Sequence, residues 1–156
     1  MNQTPPSLKS ARVLVLALIA GLVFFTVVAG ALVLMGRQQT RPELLNMLLA
    51  GTSVVLVSGV MMSLALPAYF TSMTRRQAQG KPAEQAAETV LRGFVTIAVA
   101  RGALIEAPGL LGGVGLLLTG NFLFAVVPLV CAGLLLGSLP NQQRFRAFTQ
   151  RVFEVR

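Results

Sequence analysis

The chain has 156 residues, 54% of them hydrophobic and 12% charged, with a mean hydropathy of +0.74 and a formal net charge of +8. Its charged share is about half that of an ordinary soluble domain, too little polar surface to cover a fold of this size in water, so the composition suits lipid as the outer solvent. The sequence contains no His, no Asp and a single Cys, Cys131. This excludes a Ser-His-Asp triad, a Cys/His zinc site and an intramolecular disulfide.

In chain order, MNQTPPSLKSAR precedes a first apolar run over residues 13–35. That run exceeds the roughly 7 to 15 apolar residues of a cleaved signal peptide. It predicts a retained first membrane helix behind a cytoplasmic tail, residues 1–12. GRQQTRPE, residues 36–43, is a short polar loop whose Pro42 suits the first turn of a second helix, predicted over 44–70. TSMTRRQAQGKPAEQAAE, residues 71–88, is a longer connection in which Pro82 and Glu84 mark the start of a third helix, apolar over 86–118. TGN, residues 119–121, is a tight turn into a fourth helix over 122–139, so the last two helices form an antiparallel hairpin.

Each run spans a hydrocarbon core of roughly 30 Å at a helical rise of 1.5 Å per residue. None alternates in polarity as a strand would, and lipid requires every backbone group to be paired within the chain. The expected fold is all-α: a four-helix transmembrane domain over 13–139, followed by a basic amphipathic helix over 140–156.

Basic residues orient it. Lys9 and Arg12, then Arg75, Arg76, Lys81 and Arg92, then Arg144, Arg146, Arg151 and Arg156 all fall on one side. The other side holds Arg37 and Arg41, offset by Glu43. The positive-inside rule places both termini in the cytoplasm, which fits a multi-pass protein of a bacterial inner (plasma) membrane. The basicity is topology information, and no nucleic-acid partner is expected. In the tail NQQRFRAFTQRVFEVR, Phe145, Phe148 and Val152 share a helical face flanked by Arg144, Arg146 and Arg151. Such a helix lies on the inner leaflet, with phenylalanines at the acyl boundary and arginines near anionic headgroups. A solvated tail and a packed cytoplasmic helix are the alternatives.

Two charges interrupt VARGALIEAPGLLGGVGLLLTGN, residues 99–121. Counting back about 20 residues from the turn puts Arg101 just inside the inner boundary, where it can snorkel. Glu106 lies nearer the middle, and its side chain is too short to escape. It must be protonated, paired, or turned to a polar cavity. Arg101 is the nearest candidate charge partner, but five residues along a helix are about 140° apart. Pro108 removes the hydrogen bond to Leu104, so a kink there is the way to bring the two together. Thr52, Ser53, Ser58 and Thr96 are alternative hydrogen-bond partners for a purely structural carboxyl. Gly109, Gly112, Gly113 and Gly115 offer smooth surface for close helix packing, either inside the bundle or between subunits.

The run GALIEAPGLLGGVGLLL, residues 102–118, resembles the carboxylate-bearing helix of rotor-ring proteolipids, the c subunits of rotary ATP synthases. That resemblance implies that Glu106 binds H⁺ or Na⁺. As a whole the chain is also similar to small, uncharacterised four-helix bacterial membrane proteins. The expected function is non-enzymatic: an accessory or scaffold subunit of a larger membrane assembly, in contact with lipids and with other membrane subunits or further copies of itself. It is expected to hold no cofactor and no metal. The alternative is a proteolipid-like subunit that translocates H⁺ or Na⁺ through Glu106.

Overall fold

The structure, a computed structural model, describes residues 6–36 and 41–153. Arg37 and Arg156, both used above to orient the chain, lie outside them. Five α-helices and no strand occur among the described residues: α1 (Pro6–Leu34), α2 (Leu45–Ala78), α3 (Ala83–Thr119), α4 (Leu123–Gly137) and α5 (Gln142–Phe153), with a 3-10 turn, Pro42–Leu44, leading into α2. Three of them, α1, α2 and α3, are long and apolar enough to cross a membrane. A fourth span results if α4 and α5, bent by 69° at their junction, are taken as one.

Helix ends differ from the sequence reading because polar residues continue or cap them. Residues expected as a tail already belong to α1, which starts on Pro6, a residue whose fixed φ suits a first turn. The expected loop from Thr71 onward is helical up to Ala78, with Arg75 and Arg76 in the last turn, where cations offset the negative end of the helix. Residues 83–85 extend α3 backwards, and the Ala86 N–H donates to the Pro82 carbonyl at 2.9 Å. The α3–α4 turn is as short as TGN suggests. Gly120 takes φ +67° and its N–H donates to Leu116 O, closing α3, and the Asn121 side chain accepts from the Leu123 N–H at 2.9 Å. By contrast α4 has only 15 residues, about 22 Å of rise, shorter than the crossing expected over 122–139.

The hub is α3. It packs on α1 and α4 along one side and on α2 along the other, while its N-terminal portion meets α5. Buried side chains fall into three layers along the bundle. Leu8, Val90, Phe94 and Phe148 form one end. Val15, Leu22, Ile105, Cys131 and Leu135 fill the middle. Ala29, Leu116 and Phe124 close the other end. The outside is apolar too. Val13, Phe24, Val27, Val54, Val57, Met61, Leu64, Leu129 and Leu136 are all exposed. In water so continuous an apolar exterior drives association; hydrocarbon is the solvent it fits.

Two of the close helix contacts follow one rule. Proline has no N–H, so the carbonyl four residues before it has no helical donor. Pro108 frees Leu104 O, and a β-carbon built at Gly59 of α2 would lie 2.6 Å from that oxygen. Pro128 frees Phe124 O, and a β-carbon at Gly112 of α3 would lie 3.0 Å from it. In both cases the freed oxygen is seated against a glycine on the neighbouring helix, and at Gly112 an added carbon would also meet Val127 Cβ at 2.8 Å and Pro128 Cδ at 2.9 Å. The buried residues of α2, Thr52, Gly59, Ser63, Thr74 and Ala78, are all small, as close backbone approach in lipid requires.

Gly59→Ala should therefore destabilise the purified protein by about 1–3 kcal/mol through overpacking. Gly51→Ala, at a glycine with nothing within 4 Å, should be neutral or gain up to about 1 kcal/mol of helix propensity. In a Pro108→Ala background Leu104 O regains its helical donor, so the Gly59→Ala cost should shrink. A double-mutant cycle of unfolding in detergent measures that coupling, and equal costs in both backgrounds would refute the seating rule.

Candidate functional site

Glu106 lies about 20 Å along α3 from Thr119, within the span. Its neighbours at i−4, i+3 and i+7 are Gly102, Gly109 and Gly113, which meet Leu18, Leu22 and Phe25 of α1. Its neighbours at i−3 and i+4, Ala103 and Leu110, are exposed. Glu106 thus occupies the outer edge of the α1–α3 seam and is half-buried. No hydrogen bond or ion pair reaches it among the described residues.

None of Thr52, Ser53, Ser58 and Thr96 bonds to Glu106. Ser58 donates to Val54 O and Thr96 to Arg92 O, each within its own helix. Ser53 is exposed. Thr52 is buried with its Oγ1 unpaired. Arg101 does not pair with Glu106 either; the sole ion pair among the described residues is Arg92–Glu88, 2.6 Å, on the surface of α3. Helix α3 runs on through Pro108, so the roughly 140° between residues 101 and 106 is kept and the kink expected to close it does not bring the two together.

The four glycines after Glu106 all face inward. Gly109 meets Leu22 of α1 and Cys131 of α4, Gly112 meets Val127 and Pro128, Gly113 meets Phe25, and Gly115 meets Phe124. Of the two uses weighed for them, close packing inside the bundle is the one the structure places them in. Their smooth surface is consumed by α1 and α4 and is not presented to another chain.

A second site is the base of the bundle, where α5 folds back. Asn141 Oδ1 accepts from the Arg144 N–H at 2.8 Å and caps α5. Arg75 of α2 donates from Nε to Val152 O at 2.9 Å and from Nη2 to Arg151 O at 2.5 Å, so it binds the last carbonyls of α5. The apolar face of α5 is turned to protein. Phe148 and Val152 are buried, and Phe94 of α3 meets Phe145 and Phe148 with ring centroids 5.4 Å and 5.7 Å apart. The phenylalanines assigned to the acyl boundary therefore fill the gap beneath α2 and α3, while Arg144, Arg146 and Arg151 remain exposed.

Between α5 and the adjoining parts of α2, α3 and α4 is a cleft of about 520 Å³. Its walls include Pro67, Phe94 and Leu134, and three arginines line it: Arg101, Arg144 and Arg151. The sequence places Arg101 just inside the boundary, snorkelling or as a candidate partner for Glu106, and the other two on a lipid-facing surface; that they converge depends on the fold-back of α5, which no local pattern announces. No group of three His, Cys, Asp or Glu able to hold a metal occurs among the described residues. Comparisons with protein families, curated proteins and solved structures give no match.

Truncating Phe148 removes the centre of the α5 contact, a loss of about 3–5 kcal/mol for a fully buried ring. Phe148→Ala should leave α1–α4 folded but open α5 to trypsin at Arg144, Arg146 and Arg151, with cleavage roughly tenfold faster or more. Unchanged digestion kinetics would show that α5 is not held by this packing.

Proposed function

We propose that the chain is a non-enzymatic multi-pass subunit of a bacterial inner (plasma) membrane, an accessory or scaffold component of a larger membrane assembly. In this reading α4 completes a fourth crossing with the residues at its ends, both termini are cytoplasmic, and the basic base of the bundle lies at the inner leaflet. The charge distribution supports it: Lys9, Arg12, Arg75, Arg76, Lys81, Arg92 and the α5 arginines gather at one end, with Arg41 at the other.

The observation that carries the assembly role is Glu106. A carboxyl at this depth, with no partner among the described residues, is costly in hydrocarbon. Its place on the outer edge of the α1–α3 seam leaves it within reach of a neighbouring subunit, either another membrane protein or a second copy. A donor from that neighbour would pair it and give the contact its register. With the glycines of α3 buried inside the bundle, this polar link and the apolar faces around Ala103 and Leu110 form the contact, rather than a glycine stripe. No cofactor or metal is needed for such a role.

The second reading, a proteolipid-like subunit translocating H⁺ or Na⁺, is favoured by the same position, since an ion carrier also needs a carboxyl at the edge of the helix bundle. Glu106→Gln separates the two. As a scaffold contact, the substitution should lower recovery of the native assembly, or leave it intact if the amide can pair, without an effect on ion flux. As an ion carrier, assembly should persist while flux in reconstituted vesicles and labelling by a hydrophobic carbodiimide are both lost. Disulfide trapping at Ala103→Cys and Leu110→Cys in native membranes should cross-link this flank to its neighbour. Complete absence of cross-links, with a monomeric native mass, would remove the assembly reading.

A further inference from the structure

We propose that the cleft at the inner end of the bundle holds the phosphate headgroup of one anionic glycerophospholipid. The inference rests on the chain being embedded in a bilayer, but not on the Glu106 contact.

Three arginines line one cleft, and no Asp or Glu lines it among the described residues. Glu154 lies outside those residues. Gathering like charges between packed helices costs free energy unless an anion is held between them. Arg101 carries the clearest mark of a missing partner: its Nε is buried, with no hydrogen-bond acceptor among the described residues. A buried unpaired donor of this kind forfeits its full hydration. Arg144 is fixed in place by one bond, from Nη2 to Gly137 O, and retains further N–H groups for a ligand. Phosphate oxygens accept such donors in pairs, and arginine is the residue whose fork matches them.

Position identifies the phosphate as that of a lipid. Arg101 lies about 27 Å along α3 from Thr119, close to the roughly 30 Å of a hydrocarbon core. The arginines therefore stand at headgroup level when the α3–α4 turn stands at the opposite surface. Sideways, α2 and α4 both flank α3 but make at most a marginal contact with each other, so the cleft is open between them. Gly133 and Leu134 of α4 line it and are exposed, which offers acyl chains an apolar path from the headgroup into the core. Basic pockets between membrane helices on the cytoplasmic side suit anionic headgroups. A free phosphate would need the arginines but would leave that apolar wall unused.

The test uses the full chain purified in dodecyl maltoside. Dioleoyl phosphatidylglycerol, dioleoyl phosphatidylcholine and inorganic phosphate are titrated separately, with native mass spectrometry and the melting shift as readouts. One phosphatidylglycerol should be retained per chain, phosphatidylcholine should bind far more weakly, and millimolar inorganic phosphate should not displace the lipid. Arg101→Gln and Arg144→Gln should each weaken retention about tenfold, the loss of one charge-assisted bond. Arg76→Gln, which removes an exposed charge outside the cleft, should change nothing.

Equal weakening by Arg76→Gln would mean a diffuse charge effect and overturn the site. Displacement by phosphate would overturn the lipid assignment. Binding that appears only in Glu154→Gln would show the arginines to be neutralised within the chain and would also overturn it. If Arg101→Gln does not fold, phenylglyoxal labelling of the unsubstituted protein decides: phosphatidylglycerol must protect Arg101 and Arg144 while leaving Arg76 reactive, and equal protection of all three refutes the site. Release of the protein from native membranes by alkaline carbonate would instead remove the bilayer reading itself, a failure distinguishable from the loss of this site.

Discussion

An oxygen atom freed by a proline and seated against a glycine is found where α3 meets α2 and again where it meets α4. Leu104 O loses its helical partner to Pro108, and it is accommodated because Gly59 on α2 presents hydrogen where any other residue would present carbon. Phe124 O, freed by Pro128, stands in the same relation to Gly112. A carbonyl left bare in hydrocarbon costs free energy, and at these two positions a glycine lets the neighbouring helix come close enough to cover it. The glycine α-hydrogen that stands in place of a β-carbon points to the oxygen, a weak C–H···O contact of the kind that recurs at helix interfaces. Together the two pairs tie α3 to α2 on one side and to α4 on the other.

The inward faces of α3 are fully used, and a strip around Ala103 and Leu110 is left facing outward. Its glycines serve α1 and α4, its start serves α5, and Glu106 sits where the seam with α1 meets the exterior. The base of the bundle shows the same economy in reverse. There α5 spends its aromatic face on Phe94 and its last carbonyls on Arg75, so its arginines stay outside or turn into the cleft. Three arginines line the cleft at that base with no carboxylate beside them among the described residues, which gives this end of the molecule a chemistry that the apolar middle lacks.

Much of the architecture could be read from the sequence, and the reasons for the rest are physical. All four apolar runs lie in helices because hydrophobic stretches of that length leave the backbone no other way to pair. The ends moved because capping and charge placement decide them: Arg75 and Arg76 prolong α2, Asn141 starts α5, and Gly120 stops α3. The separation of Arg101 from Glu106 was legible from helical geometry alone, and the expectation that Pro108 would overcome it fails because α3 continues through the proline. The spacing of Phe145, Phe148 and Val152 correctly placed them on one face. What that face touches depended on Phe94, a residue on the part of α3 below the expected span, and on a 69° bend that no local pattern encodes. The cleft inherits the same difficulty, since its three arginines come from two helices brought together by that bend.

One dimension of the bundle acts on its surroundings. Helix α4 rises about 22 Å where α3 rises about 55 Å. Hydrophobic mismatch of this kind is relieved by local thinning of the lipid or by tilt, at a modest cost per ångström. A leaflet drawn in around α4 would form a dimple on the side of the molecule that carries Gly133 and Leu134, lowering polar headgroups toward Arg101. The shortest helix would then shape the lipid before any side chain touches it.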